Sequence, residues 1–546
     1  MNDNLEQVRA YHQRTKHSFR RYARGPSYLD WATQPDAFRR YDGASRLALE
    51  RIPPAGKPAY EPSFWNGHVE PAKLDRECLS QLFFDSLAVS AWKQAGNTKW
   101  ALRVNPSSGN LLPTEGYLVC GPVNGVTESP LVAHYAPRAH ALEVRARFSL
   151  ETWQALMEEL PASTFLVGLT SIHWREAWKY GERAFRYCQH DVGHAIAAVS
   201  VAAAGLGWQA TLLDELGTGQ VADLLGTGDR QGAEPEHPDC VLAVYPQDQS
   251  VPSLSLPPDV LTSFANLGWQ GRPNQLSRSH MEWSIIDDVA AATQKPPTPG
   301  AYGAPAEQSE NKDRAVAAEP LVSSALSLRR IIRQRRSAVA MDPRGTMARE
   351  PFYKVLWKTL ARAGQFPFNA LPWRPLANLV LFVHRVEDLA PGLYLLVRDG
   401  SQYDNLRAEL NSSFAWEKPP ACPADLPLYR LERGDARAIA RQVSCHQEIA
   451  SDGCFSLGML AEFEVPLARF GPWFYRRLFW ECGLIGQVLY LEAEAAGMRG
   501  TGIGCFFDDA VHQLLGLETM RFQSLYHFTV GYPVEDSRLT ILPAYP

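Results

Sequence analysis

The chain repeats itself. Asp191, Gly193, Ala203, Gly207 and the trio Leu224-Leu225-Gly226 recur as Glu481, Gly483, Ala493, Gly497 and Leu514-Leu515-Gly516, each 290 residues further on. Arg186 and Arg476 fall on the same offset, as do Phe185 and Tyr475. A gap-free register over about forty positions, with its glycines matched, marks a duplicated structural unit. Leu242-Ala243-Val244-Tyr245-Pro246 and Phe528-Thr529-Val530-Gly531-Tyr532-Pro533 extend the likeness to a short strand ending at proline. Between the copies, KPPTPGAYGAPAEQSEN (295–311) is rich in Pro, Ala, Gly and polar residues and has no apolar period. That is the composition of a linker. We therefore expect one domain at 1–290, a linker at 291–320 and a second domain at 321–546.

The repeated unit has a readable order. From about Arg183 to Leu206, and from about Trp473 to Ala496, small and apolar residues recur on most faces. This predicts a long helix buried on more than one side. Gly207 and Gly497 stand where a left-handed C-cap would end each helix. A strand or turn, a short helix ending in Leu-Leu-Gly, and the closing strand follow. Ahead of the helices, Gly116 to Cys120 and Asn378 to His384 read as strands. Helices and strands interleave without a regular βαβ alternation, so an α+β sandwich with an antiparallel or mixed sheet is expected.

Composition excludes some functions. The 546 residues carry 54 basic and 59 acidic side chains, a net charge of −5. A nucleic-acid backbone binder normally has a basic footprint, so no nucleic-acid partner is expected. The nine cysteines form no CxxC pair. They read as reduced, buried thiols of a cytoplasmic protein rather than a disulfide framework or a zinc site. The first residues, Met1 to Glu6, are polar and acidic, unlike a signal peptide. The longest apolar run, Ala195 to Trp208, is about fourteen residues where a spanning helix needs roughly twenty, so no membrane partner is expected.

Four segments carry chemistry. In Asn105-Pro106-Ser107-Ser108-Gly109-Asn110 two hydroxyls, amides and a glycine sit between prolines. Such a segment suits a polar ring or an oxyanion, and equally a plain surface turn. Arg333-Gln334-Arg335-Arg336-Ser337 offers clustered planar donors and a hydroxyl, a phosphate clamp or a solvated helix end. Gly500-Thr501-Gly502-Ile503-Gly504-Cys505-Phe506-Phe507-Asp508 follows a helix and does not match GxGxxG, so it is no Rossmann fingerprint. Its backbone can still approach a flat ligand closely. Lys179-Tyr180 pairs two groups able to act in general acid–base catalysis where burial or a cation shifts them. His190 and His194 share the spacing of a helical zinc pair, but His190-Asp191-Val192-Gly193-His194 lacks the zincin glutamate and a third ligand. No metal is expected. Neither a GxSxG elbow nor a P-loop is present.

Taken in order, these segments and the duplication resemble the nitroreductase-like flavoenzymes, and among them the SagB-type dehydrogenases in a tandem, fused form. The resemblance implies an α+β fold that works as an intertwined dimer with FMN at the interface; here the two halves would form that pair within one chain. It implies that Arg335, Arg336 and Ser337 hold the phosphate. Pro106, Ser107, Ser108 and Asn110 would meet the isoalloxazine, with Gly504, Cys505 and Phe506 facing its N5. Val339 stands where the family often has an arginine, and Arg538, after Gly531-Tyr532-Pro533, is the candidate to replace it. Gln365 to Pro375 and Arg14-Thr15-Lys16-His17 lack the matching motifs, so one FMN per chain is expected. Lys179 and Tyr180 look like the family's acid–base pair.

The activity so implied is oxidation of an azoline-like substrate, small or peptidic, with hydride passing to flavin N5. An NAD(P)H-dependent nitro or quinone reductase is the alternative enzyme, and a non-catalytic flavin-binding or scaffold module of a peptide-modifying complex the alternative from another class. The segments around 230–290 and 400–430 are candidates for lining a substrate pocket. A monomer with an internal pseudo-dimer, or a higher homo-oligomer, is expected.

Overall fold

The two apolar stretches form the central helices Ala184–Ala204 and Phe474–Ala495 of a computed structural model that describes residues 2–228, 234–249, 254–298 and 326–545. Both helices are buried along almost their whole length. Gly207 and Gly497 follow with φ of +72° and +73°, the left-handed turn that redirects the chain into strands Trp208–Leu212 and Arg499–Ile503. The short helices Thr218–Leu225 and Asp508–Leu515 then end at Gly226 and Gly516, again left-handed.

The central helices cross each other backbone to backbone. A Cβ on Gly193 would collide with the carbonyl of Trp480, and one on Gly483 with the carbonyl of His190. His190 and Trp480 are themselves a repeat pair, so one contact is made twice across a pseudo-twofold. Only a residue without a side chain permits so close an approach.

Each half wraps an antiparallel sheet around its helix. In the first half the strand order is Arg46–Ala48, Ala141–Arg147, Leu131–Ala136, Thr114–Cys120, Phe165–Ser171, His237–Pro246 and Trp208–Leu212. The second half repeats the last six positions as Leu428–Arg433, Gly392–Leu396, Ala377–Val383, Phe455–Glu462, Phe522–Gly531 and Arg499–Ile503. The inner strands are buried on both faces. One face meets the central helices in a core continuous across both halves, and the other is covered by outer helices in a separate cluster for each half. The duplication read from the helices thus extends through the sheets.

The halves also exchange pieces. Strand Thr540–Leu542, from the end of the chain, pairs with Val89–Ala95 of the first half. Helix Leu328–Gln334 sets Leu328, Ile331 and Ile332 against Tyr60, Phe64, Val104 and Val201. The first helix, Asn2–Arg14, reaches the other way, where His12 hydrogen-bonds Tyr475 and Gln523. Arg183, just before the first central helix, and Arg186 within it converge on buried Asp508 at 3.0 and 2.8 Å. Burial alone would raise that carboxyl; the two guanidiniums hold it well below the usual range.

Part of the expected linker belongs to the first half. Helix Ser284–Ala292 runs into residues whose backbone is bonded there: Thr218 N–H donates to the Lys295 carbonyl at 2.9 Å and Thr298 N–H to that of Glu215 at 3.0 Å. Residues 299–320 of that segment lie outside the described residues. Among the described residues no helix is long and apolar enough to cross a membrane.

Gly483→Ala is expected to cost about 2–3 kcal/mol, because backbone on both sides resists the added methyl. The same change at Gly219, where a Cβ meets nothing within 4 Å, is expected to be neutral or stabilising by up to about 1 kcal/mol. Urea unfolding midpoints compare the two; equal effects would contradict the close crossing.

Candidate functional site

A cavity of about 400 Å³ lies in the seam between the halves. The first half lines it with Leu102, Arg103, residues 105–110, Tyr180, Tyr187, Asp191 and His194, and the second with Arg335, Arg336, Ser337, Tyr490, residues 501–505 and Tyr526. Among the described residues of 230–290 and 400–430, the segments expected to face substrate, none lines the cavity.

The Pro106–Asn110 segment is a tight turn. Gly109, Asn110 and Leu112 have φ of +59°, +58° and +57°. At Gly109 a Cβ would collide with the Tyr180 hydroxyl, so glycine is required by that contact as well as by conformation. The hydroxyls and the amide of this turn are engaged by protein groups. Ser107 Oγ accepts from Leu112 N–H at 2.8 Å and donates towards Glu176 at 3.4 Å. Ser108 donates from its N–H and its Oγ to Asp191, at 3.1 and 3.2 Å. Asn110 Nδ2 donates to the Ala101 carbonyl at 2.8 Å. Their first task is to shape the loop. The group left for a ligand is Asn105 Oδ1, a buried acceptor without a hydrogen-bond partner.

Beneath the turn, two buried carboxyls face each other across the serines. Burial, then the charge of Asp191, pushes the Glu176 carboxyl well above its usual range, and Glu176 Oε2 has no partner. Burial raises Asp191 to about 7 against the pull of its serine hydrogen bonds. Tyr180, beside them, is raised well above the ordinary phenol value by burial and by Glu176, so it remains a proton donor.

The opposite wall is cationic. Arg335 reaches into the first half and donates through Nη2 to the carbonyls of Arg103 and Val104 at 3.0 and 3.1 Å. Arg336 donates to the carbonyls of Arg333, Arg335 and Ser90. Both Nε atoms are buried without a partner. Burial lowers Arg335 to about 10; burial and neighbouring guanidiniums lower Arg336 to about 9. Lys93 is lowered by burial and by Arg336. Among the described residues none of the three forms an ion pair with a carboxylate. Ser337 Oγ meets the Tyr490 hydroxyl at 2.9 Å, and that hydroxyl accepts the Gly502 N–H at 2.9 Å, which ties the basic segment to the glycine loop. The Gly504 carbonyl accepts from Tyr187 and Arg183, both at 3.2 Å, and its missing Cβ makes room for the Tyr187 ring.

Of the residues singled out from sequence, Pro106, Ser107, Ser108, Asn110, Arg335, Arg336, Ser337, Gly504, Cys505 and Tyr180 meet at this cavity. Three stand apart. Phe506 is buried behind the wall, stacked on His527 with ring centroids 4.3 Å apart. Lys179 lies outside the lining, with its ammonium 5.2 Å over the Tyr180 ring. Arg538 is exposed at the surface and paired with Asp536 at 2.8 Å, so it is not a phosphate ligand at the cavity; only its neighbour Leu539 reaches the wall. His190 stacks on Tyr526 and His194 hydrogen-bonds the Tyr526 hydroxyl at 3.2 Å. No group of three potential metal ligands occurs among the described residues. Glu176, Tyr187 and Tyr490 were not legible as site residues, and Asp191 was legible only as a marker of the repeat.

The pseudo-equivalent position is closed. The repeat partners of Tyr187 and Gly504 are Arg477 and Asp214, which form an ion pair there. Glu481, the partner of Asp191, accepts the Leu376 and Ala377 N–H groups and the Arg398 guanidinium. About 20 Å³ remains beside Asp214, Lys295 and Arg477.

Residues 428–532 match the model of the nitroreductase family. No curated protein matches the chain. A crystal structure of a protein described as a nitroreductase from Anabaena variabilis is similar over 97% of this chain and 99% of its own, with 22% identity and a TM-score of 0.69. Each half has the nitroreductase fold. Smaller matches include a Ralstonia eutropha protein described as a nitroreductase (14% identity, 40% of this chain, 88% of that one, TM-score 0.27). The Escherichia coli microcin synthetase McbBCD is another, at 16% identity over 45% of this chain and 93% of that one, TM-score 0.27. The two nitroreductase-like domains form an intramolecular pseudo-dimer, and at 22% identity the full-length match is one of fold.

The raised Asp191 carboxyl sets a pH dependence. A group whose pKa is higher in the fold contributes stability that is fully present below its unfolded pKa of about 4 and is lost as pH rises through about 7. Asp191→Asn, which mimics the protonated form, is expected to gain on the parent by on the order of 2 kcal/mol between pH 4 and pH 8. Urea midpoints at the two pH values measure this; a pH-independent difference would contradict it.

Proposed function

We propose that the chain is an FMN-dependent oxidoreductase holding one FMN in the cavity between its two domains. The observation that carries this reading is the pair of guanidiniums, Arg335 buried and Arg336 half-buried, at the cavity wall with no carboxylate to neutralise them. Such a pair suits a phosphate dianion. Arg335, Arg336 and Ser337 would hold the phosphate. Asn105, with its unpartnered acceptor, and the backbone of Pro106–Asn110 and Gly504-Cys505 would hold the ring. When bound, FMN supplies two-electron hydride chemistry.

The chain's own residues handle the proton. Tyr180 stays protonated, so it can orient a substrate atom as a hydrogen-bond donor but does not take the substrate proton. The Glu176–Asp191 pair, raised by burial, takes a proton near neutral pH and is linked to the cavity through Ser107 and Ser108. Lys179 acts with Tyr180 from behind the wall, its charge placed over the phenol ring. This combination favours a dehydrogenase of SagB-type character acting on an azoline-like ring. Oxidation to an azole removes a hydride and a proton from neighbouring atoms, and the wall carries a group for that proton.

Arg336→Met is expected to weaken FMN binding at least about tenfold, the loss of charge-assisted hydrogen bonds to a phosphate. Asp191→Asn should leave that affinity within about twofold and slow flavin reduction by about a hundredfold, because the amide cannot take the substrate proton. Fluorescence titration measures the first, and anaerobic stopped-flow bleaching with an azoline-containing peptide measures the second. Protein that takes up no FMN would overturn the reading as a whole. Bleaching by NAD(P)H and not by the azoline would replace the dehydrogenase with a nitro or quinone reductase.

A further inference from the structure

Cys505 stands in the cavity wall just after strand Arg499–Ile503, and Cys445 comes just after helix Arg437–Val443. Their sulfurs are 2.7 Å apart, and both residues are partly exposed while most other cysteines are buried. A small movement would join them in a bond of about 2.05 Å. Cys445 and the following His446 have φ of +53° and +59°, so a tight left-handed turn presents the Cys445 thiol to its neighbour.

The surroundings distinguish the two sulfurs. His17 Nδ1 accepts the Ala23 N–H at 2.8 Å, which places the ring proton on Nε2, and the His17 ring is a neighbour of the Cys505 thiol. The Arg183 guanidinium is buried behind the wall, bonded to the carbonyl of Gly504, the residue before Cys505. The Cys445 hydrogen bond first, then His17 and Arg183, bring the Cys505 thiol down to about 5, while the same contact raises Cys445. The two sulfurs are close enough to share one proton, and the cationic neighbour Arg183 favours the negative charge on Cys505.

We propose that Cys445 and Cys505 form a thiol–disulfide exchange site that takes low-molecular-weight disulfides of the glutathione class and stores two electrons beside the cavity. The Cys505 thiolate attacks one sulfur of the incoming disulfide; that S–S bond breaks, and the first thiolate leaves and takes up a proton. The Cys445 thiol then gives up its proton and attacks Cys505 Sγ, and the second thiolate departs with that proton. Two protein thiols are oxidised and one small disulfide is reduced to two thiols. The exchange needs no flavin, so it stands or falls separately from the reading of the cavity.

The test uses the full chain, free of flavin, equilibrated with oxidised glutathione. Thiol titration after denaturation is expected to fall from nine to seven per chain, with peptide mapping placing the new bridge at Cys445–Cys505. Cys445→Ser should stall with one glutathione on Cys505. Cys505→Ser should react at Cys445 at least about tenfold more slowly than Cys445→Ser reacts at Cys505. Nine thiols retained, a bridge or adduct at Cys422 instead, or equal rates in the two variants would each overturn the assignment.

Discussion

The contact between Gly193 and Trp480, made again between Gly483 and His190, sets the distance between the two domains. Everything at the seam depends on it. With the central helices touching through their backbones, Arg183 and Arg186 reach Asp508, Arg335 reaches the carbonyls of Arg103 and Val104, and Tyr187 reaches Gly504. A wider separation would leave these charged groups buried without partners, which is far costlier than a lost surface contact. The exchanged strand and helices add reach, but the crossing fixes the register.

Two copies of one fold in one chain are free to diverge. In a symmetric dimer both seams would carry the same residues; here one is open and one is filled. Arg477 and Asp214 neutralise each other where Tyr187 and Gly504 leave space, and Glu481 bonds Arg398 where Asp191 bonds a loop that borders the cavity. The closed seam keeps its charges satisfied and serves stability. The open seam keeps two guanidiniums without a carboxylate partner and two buried carboxyls held by serines rather than by an ion pair.

The parts legible from sequence were those fixed by local rules. The helix ends fell within about two residues of the expected positions because the left-handed glycines, Gly207 and Gly497, are local signals. Arg335 and Arg336 were legible because the segment carries no compensating acid. Other roles depended on distant partners. Glu176 and Asp191 become a pair only when the Ser107-Ser108 turn closes over them. Asp536 captures Arg538 two residues away, which analogy with the family's closing basic residues did not show. Lys179 and Tyr180 were adjacent in sequence, but neighbours on a helix point about 100° apart, so one faces the cavity and the other does not. Cys445 and Cys505 lie 60 residues apart, and no spacing rule links them.

The central claim is that this seam, and not its pseudo-equivalent, holds a flavin. Difference density from crystals soaked in FMN tests it most directly. The account predicts one FMN per chain, with phosphate against Arg336 and ring against the 105–110 turn. Density beside Arg477 and Asp214, or on the outer surface with the seam left empty, would contradict it.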